Sequence, residues 1–210
     1  MESKIGLYGL TVGPFGTNCY ILLNKENNEI VLVDPGDNGA GILRECEKIG
    51  GHVTAILLTH GHWDHTSGIK AIKEVLPDVP LYAAEKELPL LKDDSLNAGM
   101  GRHADLLLPD ITVRDEEEIT PTGIRMKVYE TPGHTAGSVC YYIREENLLL
   151  AGDTLFKGSY GRCDLPTGSD EEMRKSLKRL AAVLPDETDV LPGHGPVTSM
   201  AYEKKYNPGI

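Results

Sequence analysis

The stretch Thr59-His60-Gly61-His62-Trp63-Asp64-His65 holds three imidazoles and one carboxylate within seven residues. Neutral imidazoles with a carboxylate form a donor set for zinc, and also for iron or manganese, so the chemistry on offer is metal binding. Gly61 lets the backbone bend tightly, so residues two apart can converge on one cation while Asp64 and His65 swing toward another. A lone histidine is usually a satisfied core or surface residue, but four potential ligands in six positions exceed what that explains. One ligand after a glycine recurs at Gly133-His134, Gly152-Asp153 and Gly193-His194. His134 and His194 each follow a Pro-Gly turn, and Asp153 closes the apolar run Leu148-Leu149-Leu150-Ala151.

Periodicity indicates the elements that must position these groups. Val53 to Leu58 is a short aliphatic and β-branched run, which predicts a buried strand ending at Thr59. Beyond the motif, apolar residues 69, 72, 75 and 76 recur at helical spacing and predict a helix over 67–76. Upstream, residues 5–12, 18–23 and 30–33 read as a meander of strands, the third ending in Asp34-Pro35-Gly36. Asn38 is the expected cap of a helix over 39–48, and the strand at 53–58 then completes a parallel pair with a right-handed crossover. A strand at 81–83 and a short helix over 84–91, interrupted at Pro89, precede a long connection from 92 to 110 that contains His103. His103 and His52 read as surface residues, and Asp115 to Glu118 as a solvated acidic turn. Further strands are expected at 124–129, 139–143 and 147–151. A helix capped by Ser169 should run to Val183 with Met173, Leu177 and Leu180 facing inward, and a strand at 188–191 delivers His194. Two strand sets with intervening helices predict an α/β fold, an αβ/βα sandwich with ligands at strand ends meeting on one rim.

The chain has 210 residues, 40% of them hydrophobic, which suits one domain over residues 1–210 with a substantial core. A net charge of −11 repels phosphate backbones and argues against a nucleic-acid partner. No leader and no run of about eighteen apolar residues is visible, so the expected location is the cytoplasm, without a membrane partner. Cys19, Cys46, Cys140 and Cys163 form no C-x-x-C pair and read as free thiols, Cys163 being the one beside the expected pocket loop.

The T-H-x-H-x-D-H stretch, T-P-G-H-T at 131–135, A-G-D-T at 151–154 and P-G-H-G at 192–195 together resemble the metallo-β-lactamase-fold hydrolases, in the order of that family's five metal-binding motifs. The resemblance implies a four-layer αβ/βα sandwich and two divalent cations, zinc first, with iron or manganese admissible. His60, His62 and His134 would hold one cation, Asp64, His65 and His194 the other, and Asp153 would bridge them, which makes Asp64 and Asp153 part of the catalytic apparatus. Asp34 and Thr59 would support the metal-binding loop from behind. Two cations roughly 3.5–4 Å apart share a water that ionises near pH ~7, which supplies hydroxide for attack on a polarised carbonyl.

Residues 158–166, Gly158-Ser159-Tyr160-Gly161-Arg162-Cys163-Asp164-Leu165-Pro166, resemble the G-R-x-D-x-P loop of short glyoxalase II-like hydrolases. That resemblance implies hydrolysis of small acyl thioesters such as S-lactoylglutathione, whose thiolate leaves with little general-acid help. Arg162 and Tyr160 are the expected substrate contacts, although Arg162 could equally pair with Asp164. Only sixteen residues follow His194, so the helical C-terminal domain with which longer glyoxalase II enzymes grip glutathione is not expected. The alternatives are a persulfide dioxygenase with one iron, which shares the fold and a similar loop, and a hydrolase of another ester or lactone class. A β-lactamase proper is disfavoured by the absence of an export signal, and a non-enzymatic binding protein by the presence of all seven ligands.

Overall fold

A computed structural model describes residues 3–98 and 107–210, so His103 lies outside the described residues. The first sheet opens with the antiparallel strands β1 (Ile5–Val12), β2 (Thr17–Asn24) and β3 (Glu29–Val33). Helix α1 (Gly39–Ile49) then crosses to β4 (His52–Leu57), which runs parallel to β3 as the strand-helix-strand pattern predicts. The side chain of Asn38 accepts from the Gly41 amide and caps this helix. After β4 the metal-binding motif itself starts a short helix, α2 (Trp63–Thr66), followed by α3 (Ile69–Val75). The expected helix over 67–76 is thus shorter and preceded by a separate turn. β5 (Leu81–Ala84) and β6 (Ile111–Val113) complete the sheet in the order β1-β2-β3-β4-β5-β6. Between them lie a 3-10 turn at Glu85–Glu87 and α4 (Leu88–Leu91). Pro89 does not interrupt this helix but sits in its first turn, where its missing N–H is no loss.

The second sheet contains β7 (Glu118–Ile119), β8 (Met126–Glu130), β9 (Val139–Ile143), β10 (Leu148–Gly152), β13 (Asp189–Pro192) and β14 (Thr198–Ser199). The hairpin β11 (Leu155–Phe156) and β12 (Ser159–Tyr160) projects from the end of β10, and α5 (Asp170–Val183) and α6 (Met200–Tyr206) cover the outer face. Ser169 caps α5 by accepting from the Glu172 amide.

Side-chain parity builds the four layers. In β2, Cys19, Ile21 and Leu23 pack with Ile42 and Cys46 of α1 and Ile69 and Ile72 of α3. Tyr20 and Leu22 point the other way, into the space between the sheets, with Val31, Leu57, Val128, Tyr141 and Leu150. In β9, Cys140 and Tyr142 turn outward onto Met173, Leu177 and Leu180 of α5. Both faces of each central strand are buried, which is why these strands read as continuous apolar runs. Each fully buried Leu or Ile contributes roughly 1.5–3 kcal/mol. Asp115 and Glu116 form the expected exposed turn, and their carboxylates bond Arg179 of α5, Glu116 also bonding Lys127. No helix among the described residues is long and apolar enough to cross a membrane.

Candidate metal centre

The ligand candidates leave the ends of β4, β8, β10 and β13, all on one rim of the sandwich. His60, His62 and His134 each offer a nitrogen within 4.8 Å of the others, and Asp64, His65 and His194 form a second such group. Asp153 stands between the two. One of its oxygens, Oδ1, lies 3.4 Å from His65 Nε2. The other lies 3.4 Å from His134 Nε2 and 3.5 Å from His194 Nε2. Asp64 Oδ2 approaches His194 Nε2 at 3.2 Å and His65 Nε2 at 3.7 Å.

Hydrogen bonds behind the rings decide which nitrogen each presents. His65 Nδ1 lies 2.9 Å from Asp34 Oδ2 and donates to it, which leaves Nε2 as the nitrogen that faces the centre. Thr59 gives its only hydroxyl proton to the same Asp34 oxygen at 2.6 Å, so it must accept from His60 Nδ1 at 3.0 Å, which bares His60 Nε2 as well. His134 Nδ1 donates to the Arg162 carbonyl at 2.7 Å, which bares its Nε2. That bare nitrogen sits 2.8 Å from His62 Nδ1. Whichever nitrogen of His62 carries the proton, either two lone pairs face each other or its buried Nε2 is left without a partner.

The residues fit divalent cations. His60 Nε2, His62 Nε2 and Asp153 Oδ1 are buried without a hydrogen-bond partner, a costly arrangement for polar atoms unless something else satisfies them. Burial, reinforced by His65, His134 and His62, holds the His60 imidazole well below its ordinary range. Burial and then His134 bring His62 down to about 3, and burial lowers His134 too. These rings stay neutral, as ligands must. On the other side burial pulls His65 down, but Asp153 and Asp34 outweigh it and hold the ring well above its usual range. His194 is likewise raised, as its bond to Asp64 and the charge of Asp153 overcome burial. Burial would raise the Asp64 and Asp153 carboxyls, but the surrounding imidazoles hold both below the ordinary range. A cation on this side would take the place of protons that the rings and carboxylates otherwise share.

Residues that the sequence did not mark as supports also hold the centre. Thr17 Oγ1 donates to Asp64 Oδ2 at 3.0 Å. Asn18 bonds the carbonyls of Pro192 and Gly195 on both sides of His194, and Tyr20 bonds Pro192 as well. Gly152, at φ 48°, has no room for a side chain: a Cβ would lie 2.3 Å from Thr59 Oγ1. Glu87, buried behind the loops, had no sequence signal at all.

The two expected substrate contacts sit outside the cluster of ligands. Tyr160 OH bonds Asp170 and accepts from Arg174, which ties it to the start of α5. Arg162 forms a bidentate pair with Asp164 at 2.7 and 2.8 Å, and it is the Arg162 carbonyl that reaches His134. His52 starts β4 on the surface, away from the centre.

The description metallo-beta-lactamase superfamily fits residues 12–194, and the chain belongs to that superfamily. It is a metallo-hydrolase with a divalent-metal site, similar at 35% identity to the probable metallo-hydrolase YqgX of Bacillus subtilis over 95% of this chain and 94% of that one. It is 30% identical to the hydroxyacylglutathione hydrolase GloC of Haemophilus influenzae, over 95% of each chain. Among solved structures, the BLEG-1 B3 metallo-beta-lactamase matches with a TM-score of 0.90 at 34% identity, over 97% of this chain and 98% of that one. A di-iron-bound form of TTHA1623 matches at 0.86 and 36%, over 97% and 100%. ETHE1 from Myxococcus xanthus matches at 0.80 and 26%, over 97% and 83%.

Proposed function

We propose that the chain hydrolyses small acyl thioesters, S-lactoylglutathione among them, with two divalent cations held by the two trios and joined by Asp153. The position of Asp153 carries this reading, because its two oxygens face imidazoles of both trios at 3.4–3.5 Å. Bound there, a pair of cations supplies Lewis acidity toward a carbonyl and a water that ionises near neutral pH. Zinc suits the donors, and the di-iron form of TTHA1623 shows that a similar chain accepts iron.

The protein's own groups favour a thiolate leaving group. His60, His65 and His134 each commit Nδ1 to Thr59, Asp34 or the Arg162 carbonyl, so these rings orient and do not shuttle protons. A thiolate departs at neutral pH without a proton donor, whereas an amine leaves poorly without one. The Cys163 thiol is pushed up by burial and, next, by Asp170, which makes it a poor nucleophile. The similarity to GloC supports the acyl-thiol class. The similarity to ETHE1 keeps one-iron persulfide oxidation as the second reading, while the grouping of Asp64, His65 and His194 supports a second cation and so the hydrolytic one.

Turnover of S-lactoylglutathione in heavy-oxygen water should put the label in the carboxylic acid, with no acyl group trapped on Cys163. Oxygen uptake with glutathione persulfide, or faster turnover of a β-lactam than of any thioester, would replace this reading with another chemistry on the same centre.

The exposed pair Arg162 and Asp164, at 58% and 67% side-chain accessibility, can exchange its internal bond for a substrate carboxylate. Arg162→Ala should raise KM for carboxylate-bearing thioesters several-fold with kcat nearly unchanged, because such a clamp acts on ground and transition states alike. Asp164→Asn, which frees the guanidinium, should lower KM. Steady-state kinetics on both variants checks this, and an unchanged KM in both would confine the pair to a structural role.

A further inference from the structure

Glu87 ends the 3-10 turn after β5 and is 1% exposed, yet it takes no part in the chemistry above. Its Oε1 accepts the Gly61 amide at 2.8 Å. Oε2 accepts the Thr135 hydroxyl and the Gly137 amide, both at 2.9 Å. Gly61 lies between His60 and His62, and Thr135 follows His134. One carboxylate therefore grips the two loops that carry all three nitrogens of the first trio, one loop leaving the first sheet and the other the second.

The residue type matters as well as the position. Three donors converge on two oxygens, and a glutamine would turn its NH2 group toward at least one of them. Gly137 is shaped to this contact, since a Cβ there would lie 2.5 Å from Oε2 and 2.3 Å from the Glu87 nitrogen. Burying a carboxylate is expensive without an opposite charge. Burial pushes the Glu87 carboxyl up from its ordinary range, and only the Gly61 amide, the Thr135 hydroxyl and the Gly137 amide oppose it. A cation in the first trio would provide the positive charge that these neutral donors do not.

We propose that Glu87 is a positioning residue for the first cation site, setting the spacing of the His60–His62 loop against the His134 turn and thereby the affinity of that half of the centre. This rests on assigning the first trio to a cation, and not on the choice of thioester as substrate. Loss of such an outer partner weakens metal binding by roughly 10–100-fold in general.

The test uses full-length protein in a His194→Ala background, which disables the second trio and leaves one site to titrate. Chelator-stripped protein is titrated with Zn2+ against a chromophoric competitor, and with Co2+ for its absorption bands. Adding Glu87→Gln should weaken the remaining site about 10–100-fold and shift the Co2+ bands. Thr135→Val, which removes one of the three donors, should weaken it several-fold, while Thr135→Ser should restore the parent value. If Glu87→Gln fails to fold, the Thr135 pair decides by the same criterion. Unchanged Zn2+ affinity, even with a lowered melting temperature of the metal-free protein, would reduce Glu87 to a structural part of the fold and overturn the proposal. A His194→Ala parent that binds no Zn2+ would overturn it too, by removing the site itself. No thioester enters any of these measurements, so a wrong substrate class would not affect them.

Discussion

Asp153→Ala should empty both halves of the centre at once. The side chain is buried, and its oxygens lie between His65 on one side and His134 and His194 on the other. Asp64, by contrast, lies against His65 and His194 of one trio. Removing a bridging ligand should cost more affinity at each site than the roughly 10–100-fold typical of an outer partner. It also removes from among five imidazoles one of the carboxylates that would offset a pair of cations. Elemental analysis after dialysis against a weak chelator should find both metals depleted, with the circular dichroism of the wild type retained. His60→Ala should instead deplete the first site more than the second. One tightly held iron, together with full activity in His194→Ala, would show a single-cation centre and defeat the dinuclear assignment.

The second large effect is expected at Asp34, which belongs to neither trio yet governs a ring in each. It accepts the Thr59 amide at 2.8 Å, the Thr59 hydroxyl and His65 Nδ1, and through that hydroxyl it also sets the tautomer of His60. In Asp34→Asn one end of the side chain becomes a donor. If that end replaces Oδ2, His65 must accept at Nδ1 and carry its proton on Nε2, where the cation needs a lone pair. The Thr59 hydroxyl is pushed the same way, and His60 follows. Asn tolerates the left-handed backbone that Asp34 adopts at φ 49°, so the fold should survive the change. Metal affinity should fall about 10–100-fold at both sites. Thr59→Val breaks only the arm to His60, and its loss should be confined to the first site. Competition titrations resolved into two steps would separate these results. Equal affinities in wild type and Asp34→Asn would mean that the rings do not depend on this carboxylate.

The candidate ligands were legible because donor chemistry and close spacing are local properties. Four groups in six positions, and glycine-preceded ligands at the ends of apolar runs, need no knowledge of the fold to stand out. The longer strands and the two capped helices α1 and α5 were legible for a similar reason, since periodicity and capping residues lie within one segment. The two-residue strands β7, β11, β12 and β14 are too short to show a period, and α6 follows β14 without a break. Pro89 misled because proline reads as a helix interruption until the helix start is known.

Residue types and their spacing by themselves pointed to metal binding at strand ends and named the donors available, while their division between two cations came from the family resemblance and belongs to the proposal. Tertiary structure alone decided how those donors are aimed. A ring's tautomer follows from whatever faces its other nitrogen, and the partners come from far along the chain: Asp34 for His65, the Arg162 carbonyl for His134, and Asp34 through Thr59 for His60. The same holds for Glu87, fifty residues from Gly137 and twenty-six from Gly61, whose grip on the ligand loops exists only because two sheets bring those loops together. Local sequence can name a ligand, but a hydrogen bond between distant segments is fixed by the packing that closes the distance.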